Sequence, residues 1–418
     1  VKARNDAIDL LRGVAITLVM LLHFSLTYRL AASPLAAWLT RDGVRAVVNN
    51  GNFGVTMFFV VSGYLITSNS LQRYGSLGAI PLREFLLWRA ARILPGLLLA
   101  VTVIVVLGLF GLRSFTNVAH GKALPPSFFI VAVGSLLSFT HNVLMQSVGY
   151  FNYALNIYWS LSVEEMFYLA FPLLCVVVRR RMPVVVVCVA AIAVGPVYRG
   201  LHADNELYFM YGYPACFDAL ACGVLAALAA QRAPPARGLA RWLARGLVPG
   251  AAITLALAYL NGIQGHEVFG FTAVAVSAAV LVYALGARCA GTDPSDASAN
   301  VHPVGAGDSR RWAARALAPL RWSGRHSYEL YLFHIIVLGL MRDAVSRDQL
   351  GYAGKLPGLV LFLAVSALVA AWVANHVTEP LNAAWRARFQ AASAQSGDGN
   401  ATSGAPGSPT AFLQKDVP

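Results

Sequence analysis

The chain has 418 residues, 57% of them hydrophobic and only 12% charged, with a formal net charge of +13 and a mean hydropathy of +0.61. Soluble domains carry about twice that share of charge, so the composition excludes a water-soluble globular protein and predicts an all-α, polytopic membrane helix bundle. The positive excess then marks cytoplasmic loops, where Lys and Arg gather, and does not call for a nucleic-acid partner.

Eleven apolar runs approach the roughly 20 residues a span needs: residues 10–30, 53–71, 93–112, 127–145, 159–178, 184–198, 212–230, 247–261, 268–287, 327–341 and 358–376. Residues 1–9 precede the first run as a short cytoplasmic N-terminus. That run carries Arg12 and His23 with ten residues between them, which a helix separates by roughly 16 Å. With Arg12 at the membrane surface, His23 falls near the middle of the hydrocarbon. An ionisable group is costly there and usually faces an internal cavity. His-Phe-Ser after 14–22 is no small-residue cleavage site, so the run reads as a retained span rather than a signal peptide.

The second run contains Gly54, Ser62 and Gly63, small residues that let a neighbouring helix or a ligand approach closely. Ser62 has no acid–base partner that can be placed beside it from sequence, and Ser-Gly in a membrane helix reads as packing rather than a nucleophile. Before the third run stands Trp88-Arg89-Ala-Ala-Arg92-Ile-Leu-Pro95. Arg89 and Arg92 share a helix face and fit a phosphate-rich ligand and ordinary membrane anchoring equally well.

The segment 127–158 is expected to be re-entrant or interfacial on the outer side, because Thr140-His141-Asn142, Asn152 and Asn156 suit a backbone that lines a cavity. With that segment not crossing and the N-terminus inside, ten spans remain and 23 of the 32 Lys and Arg lie on the cytoplasmic side.

The run beginning Trp159-Ser-Leu-Ser-Val-Glu-Glu-Met-Phe-Tyr168 is the strongest local signal. Successive helical residues point about 100° apart, so the two glutamates cannot share a role. Ser160, Glu164 and Tyr168 fall on one polar face, which favours Glu164 over Glu165, with His23 or an arginine as its partner. Asp218 is expected to pair with an arginine in a structural role. Residues 235–247, with Arg237, Arg241 and Arg245 at every fourth position, read as an interfacial helix. Residues 291–308 read as a flexible cytoplasmic loop and 391–418 as a disordered tail. A second polar stripe joins Ser327, Tyr331 and His334, which suits a substrate wall or a structural network equally. The five scattered cysteines have no ligand spacing, and neither a metal site nor a structural disulfide is expected.

Intramembrane His, Glu and Arg also suit a proton-coupled transporter, although no inverted repeat is evident. The motifs in order favour an enzyme. Arg12-x10-His23, Gly54-Val-x-Met-Phe-Phe-x-x-Ser-Gly-Tyr, Arg89-x-x-Arg92-x-x-Pro95, Trp159-Ser-Leu-Ser-Val-Glu164-Glu-x-Phe-Tyr, Ser327-Tyr-x-x-Tyr-Leu-x-His334 and Thr378-Glu379-Pro380 together resemble the acyltransferase-3 family of integral membrane acyltransferases. The match runs from about Asp6 to Leu381. Two departures stand out: Phe217 precedes Asp218 where members often have arginine, and no basic residue separates Glu379 from Pro380.

The resemblance implies transfer of an acyl group, usually acetyl, from acyl-CoA as donor substrate to a hydroxyl, with no permanently bound cofactor. It implies a carbohydrate or lipid-linked glycan acceptor, or alternatively a small molecule such as a macrolide, and a multi-pass enzyme of the bacterial cytoplasmic membrane, surrounded by its lipids. Members often carry an extracellular SGNH-hydrolase-like domain. The residues after 381 are too few for one, so a stand-alone member with a transmembrane unit over 10–381 is expected. On this reading His23 is the general base or a transient acyl carrier, Glu164 acts from the outer side to orient it or hold the sugar, and Arg12, Arg89 and Arg92 hold the donor. Ser62, Ser160, Tyr168, Tyr331 and His334 line the substrate cavity.

Overall fold

The structure, a computed structural model, describes residues 5–231, 237–290 and 315–398, with side chains over 5–231, 246–285 and 315–389. The expected loop at 291–308 lies outside these residues.

Helices make up nearly all of it. In chain order they are α1 (Asp6–Tyr28), α2 (Asn52–Tyr74), α3 (Leu82–Leu109), α4 (Phe128–Leu137), α5 (His141–Val148), α6 (Trp159–Val178), α7 (Arg181–Leu201), α8 (Tyr213–Ala230), α9 (Arg237–Asn261), α10 (Gly270–Ala290), α11 (Ala318–Arg325), α12 (Ser327–Ala344), α13 (Arg347–Val373) and α14 (Glu379–Asp398). A two-residue hairpin pairs Val118–Ala119 with Lys122–Ala123. Asn5 caps α1 by accepting from the Ala7 and Ile8 amides, so the helix begins at Asp6, within residues 1–9 and ahead of the apolar run.

Seven helices among the described residues are long and apolar enough to cross a membrane, which makes this a multi-pass membrane protein. Of the other three expected spans, α12 carries Glu329, Arg342 and Asp343, and the side chains of α9 and α10 are described only over Gly246–Asn261 and Gly270–Leu285. The segment expected to be re-entrant forms two short helices, α4 and α5, broken at Phe139, whose φ is +63°. Tyr213 Oη donates to the Phe139 carbonyl that the break frees.

Other boundaries also differ from expectation. The interfacial helix at 235–247 and the run after it form one helix, α9, with Pro249 inside it. Helix α14 continues to Asp398, into the stretch expected as a disordered tail from 391. It follows α13 through a π-turn, Ala374–Thr378, where Thr378 donates to the buried Glu329 carboxylate at 2.8 Å.

Close helix crossings depend on glycine. A methyl group on Gly63 of α2 would strike the Leu220 carbonyl of α8, and one on Gly223 of α8 would strike the Val60 carbonyl of α2. Gly13 of α1 and Gly324 of α11 meet the backbones of Leu320 and Asp9 in the same way. Small residues allow such approaches between membrane helices, where packing rather than a hydrophobic driving force holds helices together.

The partner of Asp218 is Arg199, on α7. Their side chains are 0% and 1% exposed, with N···O 2.7 Å. Arg199 also donates to the carbonyls of Val268 and Ala215 and to Thr272 Oγ1, while Thr272 donates to Asp218. One guanidinium thus ties α7, α8 and α10, in place of the arginine that does not precede Asp218 in sequence. Arg199→Met is expected to lower stability by roughly 3–5 kcal/mol, because it leaves the carboxylate buried and unpaired. A thermal melt in detergent reads the loss, and an unchanged midpoint would refute it.

Candidate active site

Two cavities of the bundle lie end to end. The first, about 130 Å³, is basic and is lined by Arg12, Ser62, Arg89, Arg92, Ser160, Glu164, Tyr168, Ser327, Tyr328 and Tyr331. The second, about 1060 Å³, is wide and of mixed polarity, and is lined by His23, Asn49, Asn50, Asn52, Asn152, Asn156, Trp159, Asp204, Glu206, Tyr211, Glu267, Tyr331 and Arg342, with apolar residues such as Val19, Leu22 and Met210 between them. Val55 and Tyr331 line both. They form a thin wall where the cavities approach each other.

Helix geometry explains this order. Arg12 and His23 lie three turns apart on α1, so they open onto different cavities. Along α6, Ser160, Glu164 and Tyr168 recur every fourth residue and therefore share the face lining the basic cavity. Helix α12 runs between both cavities, with Ser327 in the basic one, Tyr331 at the wall and Arg342 in the wide one.

Within the basic cavity, hydrogen bonds hold the walls. Arg12 donates to Ser327 Oγ at 2.7 Å. Tyr168 Oη donates to Glu164 Oε2 at 3.2 Å and lies 2.6 Å from Ser62 Oγ, so the serine hydroxyl donates to the phenol. Tyr331 Oη donates to the Ile157 carbonyl at 2.5 Å and lies 2.6 Å from Ser160 Oγ. Arg89 lies over the Tyr168 ring, 4.9 Å from its centroid. Three guanidiniums and one carboxylate leave the cavity positive. Glu165 does not line it, and its Oε1 is buried without a hydrogen-bond partner.

His23 does not touch Glu164. Its Nδ1 lies 2.9 Å from His334 Nε2, and the rings stack with centroids 5.1 Å apart. The tautomers follow from the chain of bonds. His334 Nδ1 lies 2.8 Å from the Leu330 carbonyl, which only accepts, so this nitrogen carries the proton. With both rings neutral, His334 Nε2 accepts and His23 Nδ1 donates. His23 Nε2 is then the unprotonated nitrogen of a residue that lines the wide cavity. Of the two expected partners for Glu164, the arginines share its cavity, while an imidazole partners His23.

The wide cavity pairs amides, carboxylates and aromatic rings. Asn152 and Asn156 line it, as their expected role requires. His141 and Asn142 instead pin the broken helix pair, bonding to the carbonyls of Leu155 and Tyr211. Tyr153 donates to Thr27 Oγ1 at 2.7 Å, since Thr27 donates to the His23 carbonyl. Burial pushes its phenol up to about 12, so it stays a donor at neutral pH. Among the described residues no cluster of three or more His, Cys, Asp or Glu could hold a metal ion.

Sequence reasoning missed the His23–His334 pair and the polar residues Asn49, Asn50 and Arg342. It also missed a basic cleft beside the first cavity, lined by Arg73, Trp88 and Arg386. Asparagines in loops and arginines flanking apolar runs carry no signal that separates these roles from capping and anchoring.

In this polytopic helical bundle Arg12, Arg89, Arg92 and Glu164 line one cavity and His23 lines the adjoining one. The chain belongs to the acyltransferase-3 family, whose acyltransferase domain matches residues 5–376. It is similar to O-acetyltransferase OatA of Staphylococcus aureus, 24% identical over 360 residues, which cover 82% of this chain and 52% of the relative. It is also similar to YrhL of Bacillus subtilis, named as a candidate peptidoglycan O-acetyltransferase, at 27% over 314 residues, 70% of this chain and 45% of the relative. The chain spans about half the length of these curated relatives. No solved structure matches it.

Proposed function

We propose that the protein is a membrane O-acyltransferase that moves an acetyl group from acetyl-CoA to a hydroxyl of a cell-envelope glycan. The observation that carries this reading is the pair of cavities that meet at Val55 and Tyr331. One is basic, as a CoA diphosphate requires. The other presents amides, carboxylates and aromatic rings, which suits a sugar. A transporter also has opposed cavities, but membership of an acyltransferase family favours chemistry at the wall.

In this reading the donor enters the basic cavity from the cytoplasm. Arg89 and Arg92 pair with its phosphates, and Arg12, braced by Ser327, holds the arm that carries the thioester to the wall. The acceptor occupies the wide cavity on the outer side. His23 Nε2 removes the proton from its hydroxyl as the oxygen attacks the thioester carbonyl. The C–O bond forms, the C–S bond breaks, and the imidazolium returns the proton to the departing thiolate, giving an ester and free CoA. His334 accepts the Nδ1 proton of His23 and so keeps Nε2 the basic nitrogen. Glu164 orients the Tyr168–Ser62 wall and balances part of the arginine charge.

Arg89→Ala and Arg92→Ala are each expected to raise the KM for acetyl-CoA by about tenfold, with a smaller change in kcat, since they contact phosphates remote from the reacting bond. Steady-state kinetics of thiol release checks this. A loss confined to kcat would contradict donor binding.

A further inference from the structure

Beside the basic cavity lies a second basic cleft of about 250 Å³, lined by Arg73, Tyr74, Trp88, Arg89, Arg92 and Arg386 among others. The two share Ile66, Asn69, Arg89 and Arg92, so they are continuous. Arg386 comes from α14, ten residues beyond the end of the family match at 376. Resting on the acyl-CoA reading above, we propose that this cleft seats the 3′-phosphoadenosine end of the donor, and that Arg386 recognises its 3′-phosphate.

Three observations support the assignment. First, the guanidiniums are held in place. Arg73 and Arg386 lie against the Trp88 indole, 4.6 and 5.0 Å from its centroid. The Trp88 N–H and Arg73 both donate to Glu84, at 3.2 and 2.6 Å. Guanidiniums packed on an aromatic face are pre-oriented, so less entropy is lost when they bind a planar or tetrahedral anion.

Second, the charge is only partly compensated, with Glu164 in the adjoining cavity offsetting part of that of Arg89 and Arg92. Glu84 balances Arg73, but among the described residues Arg89, Arg92 and Arg386 have no carboxylate within ion-pair distance. Arg386 nevertheless feels the charges of both Arg92 and Arg73. Like charges gathered in this way repel one another until an anion joins them.

Third, the order is right. The cleft lies on the side of the basic cavity away from the Val55–Tyr331 wall, and Arg89 and Arg92 stand between. A donor reaching the wall with its thioester has its diphosphate at Arg89 and Arg92, and its nucleotide end in the cleft. A lipid phosphate could pair with the same arginines. Continuity with the thioester cavity favours the nucleotide.

The test is binding of CoA and of 3′-dephospho-CoA to the purified full chain in zwitterionic nanodiscs, with wild type and Arg386→Ala. Arg386 is exposed, so the variant should fold, and its thermal melt checks that. Wild type is expected to bind CoA about tenfold more tightly than 3′-dephospho-CoA, and Arg386→Ala to lose that preference by weakening CoA alone. Equal weakening of both ligands, or of neither, would overturn the 3′-phosphate assignment while leaving the donor reading intact. Failure of wild type to bind either nucleotide would overturn the donor reading itself. Phosphatidylglycerol nanodiscs form the last arm. If Arg386→Ala changes only retention of that lipid and leaves nucleotide selectivity unaltered, the cleft serves lipid and the proposal falls.

Discussion

Replacing His23 by alanine is expected to lower the rate of acyl transfer by about 10²–10⁴, the usual contribution of a positioned general base, while acetyl-CoA binding survives. The two effects separate because His23 opens onto the wide cavity, whereas Arg12, Arg89 and Arg92 line the basic one. His334 makes the expectation sharper. Its Nε2 accepts from His23 Nδ1, and its own Nδ1 is fixed by the Leu330 carbonyl. His334→Phe keeps a ring beside His23 but removes the acceptor, so His23 is free to carry its proton on either nitrogen. The expected result is a loss of about tenfold or more in kcat, smaller than for His23→Ala, with little change in the KM for the donor. A raised donor KM with an unchanged kcat would refute this positioning role. Combining the two substitutions should cost no more than His23→Ala alone, because His334 acts through His23.

The second large effect concerns the fold. Gly63→Val and Gly223→Val are each expected to abolish recovery of folded protein. A side chain at either position meets the backbone of the opposing helix: Leu220 for Gly63, and Val60 for Gly223. Backbone in a packed helix cannot turn aside as a flexible side chain can. Overpacking of an ordinary core costs about 1–3 kcal/mol, and a collision with a carbonyl exceeds that. The damage also reaches the site, because α2 carries both Val55 of the wall and Ser62 of the basic cavity. Size-exclusion chromatography in detergent, with a thermal melt, reads the outcome. A Gly223→Val protein that elutes and melts as wild type would show that α2 and α8 do not cross this closely.

How far the sequence reaches depends on how local each feature is. The fixed rise and turn of a helix let Arg12 and His23 be placed three turns apart, and Ser160, Glu164 and Tyr168 on one face, without knowing any neighbour. The break in the 127–145 run was legible because its polar residues interrupt the apolar pattern. Contacts across the bundle were not legible. His23 and His334 are 311 positions apart, and nothing in either motif says which ring meets which. The same limit left the partner of Glu164 open between His23 and an arginine, because α6 alone does not say where the wall between the cavities falls. Asp218 shows the opposite case. Its expected arginine exists and is Arg199, on α7. Arg73 and Arg386 remained hidden because an arginine at the end of an apolar run reads as a membrane anchor whatever else it holds. The charges on α12 that weaken its apolar signal include Arg342, which lines the wide cavity.

The most direct test of the account follows radiolabelled acetyl-CoA with purified wild-type and His23→Ala protein in nanodiscs, supplied with a cell-envelope glycan extract. The account predicts that label passes to glycan and free CoA accumulates with wild type, and that His23→Ala binds the donor but transfers almost nothing. Transfer by His23→Ala at the wild-type rate, or wild-type protein that binds acetyl-CoA yet labels no glycan and releases no CoA, would contradict it.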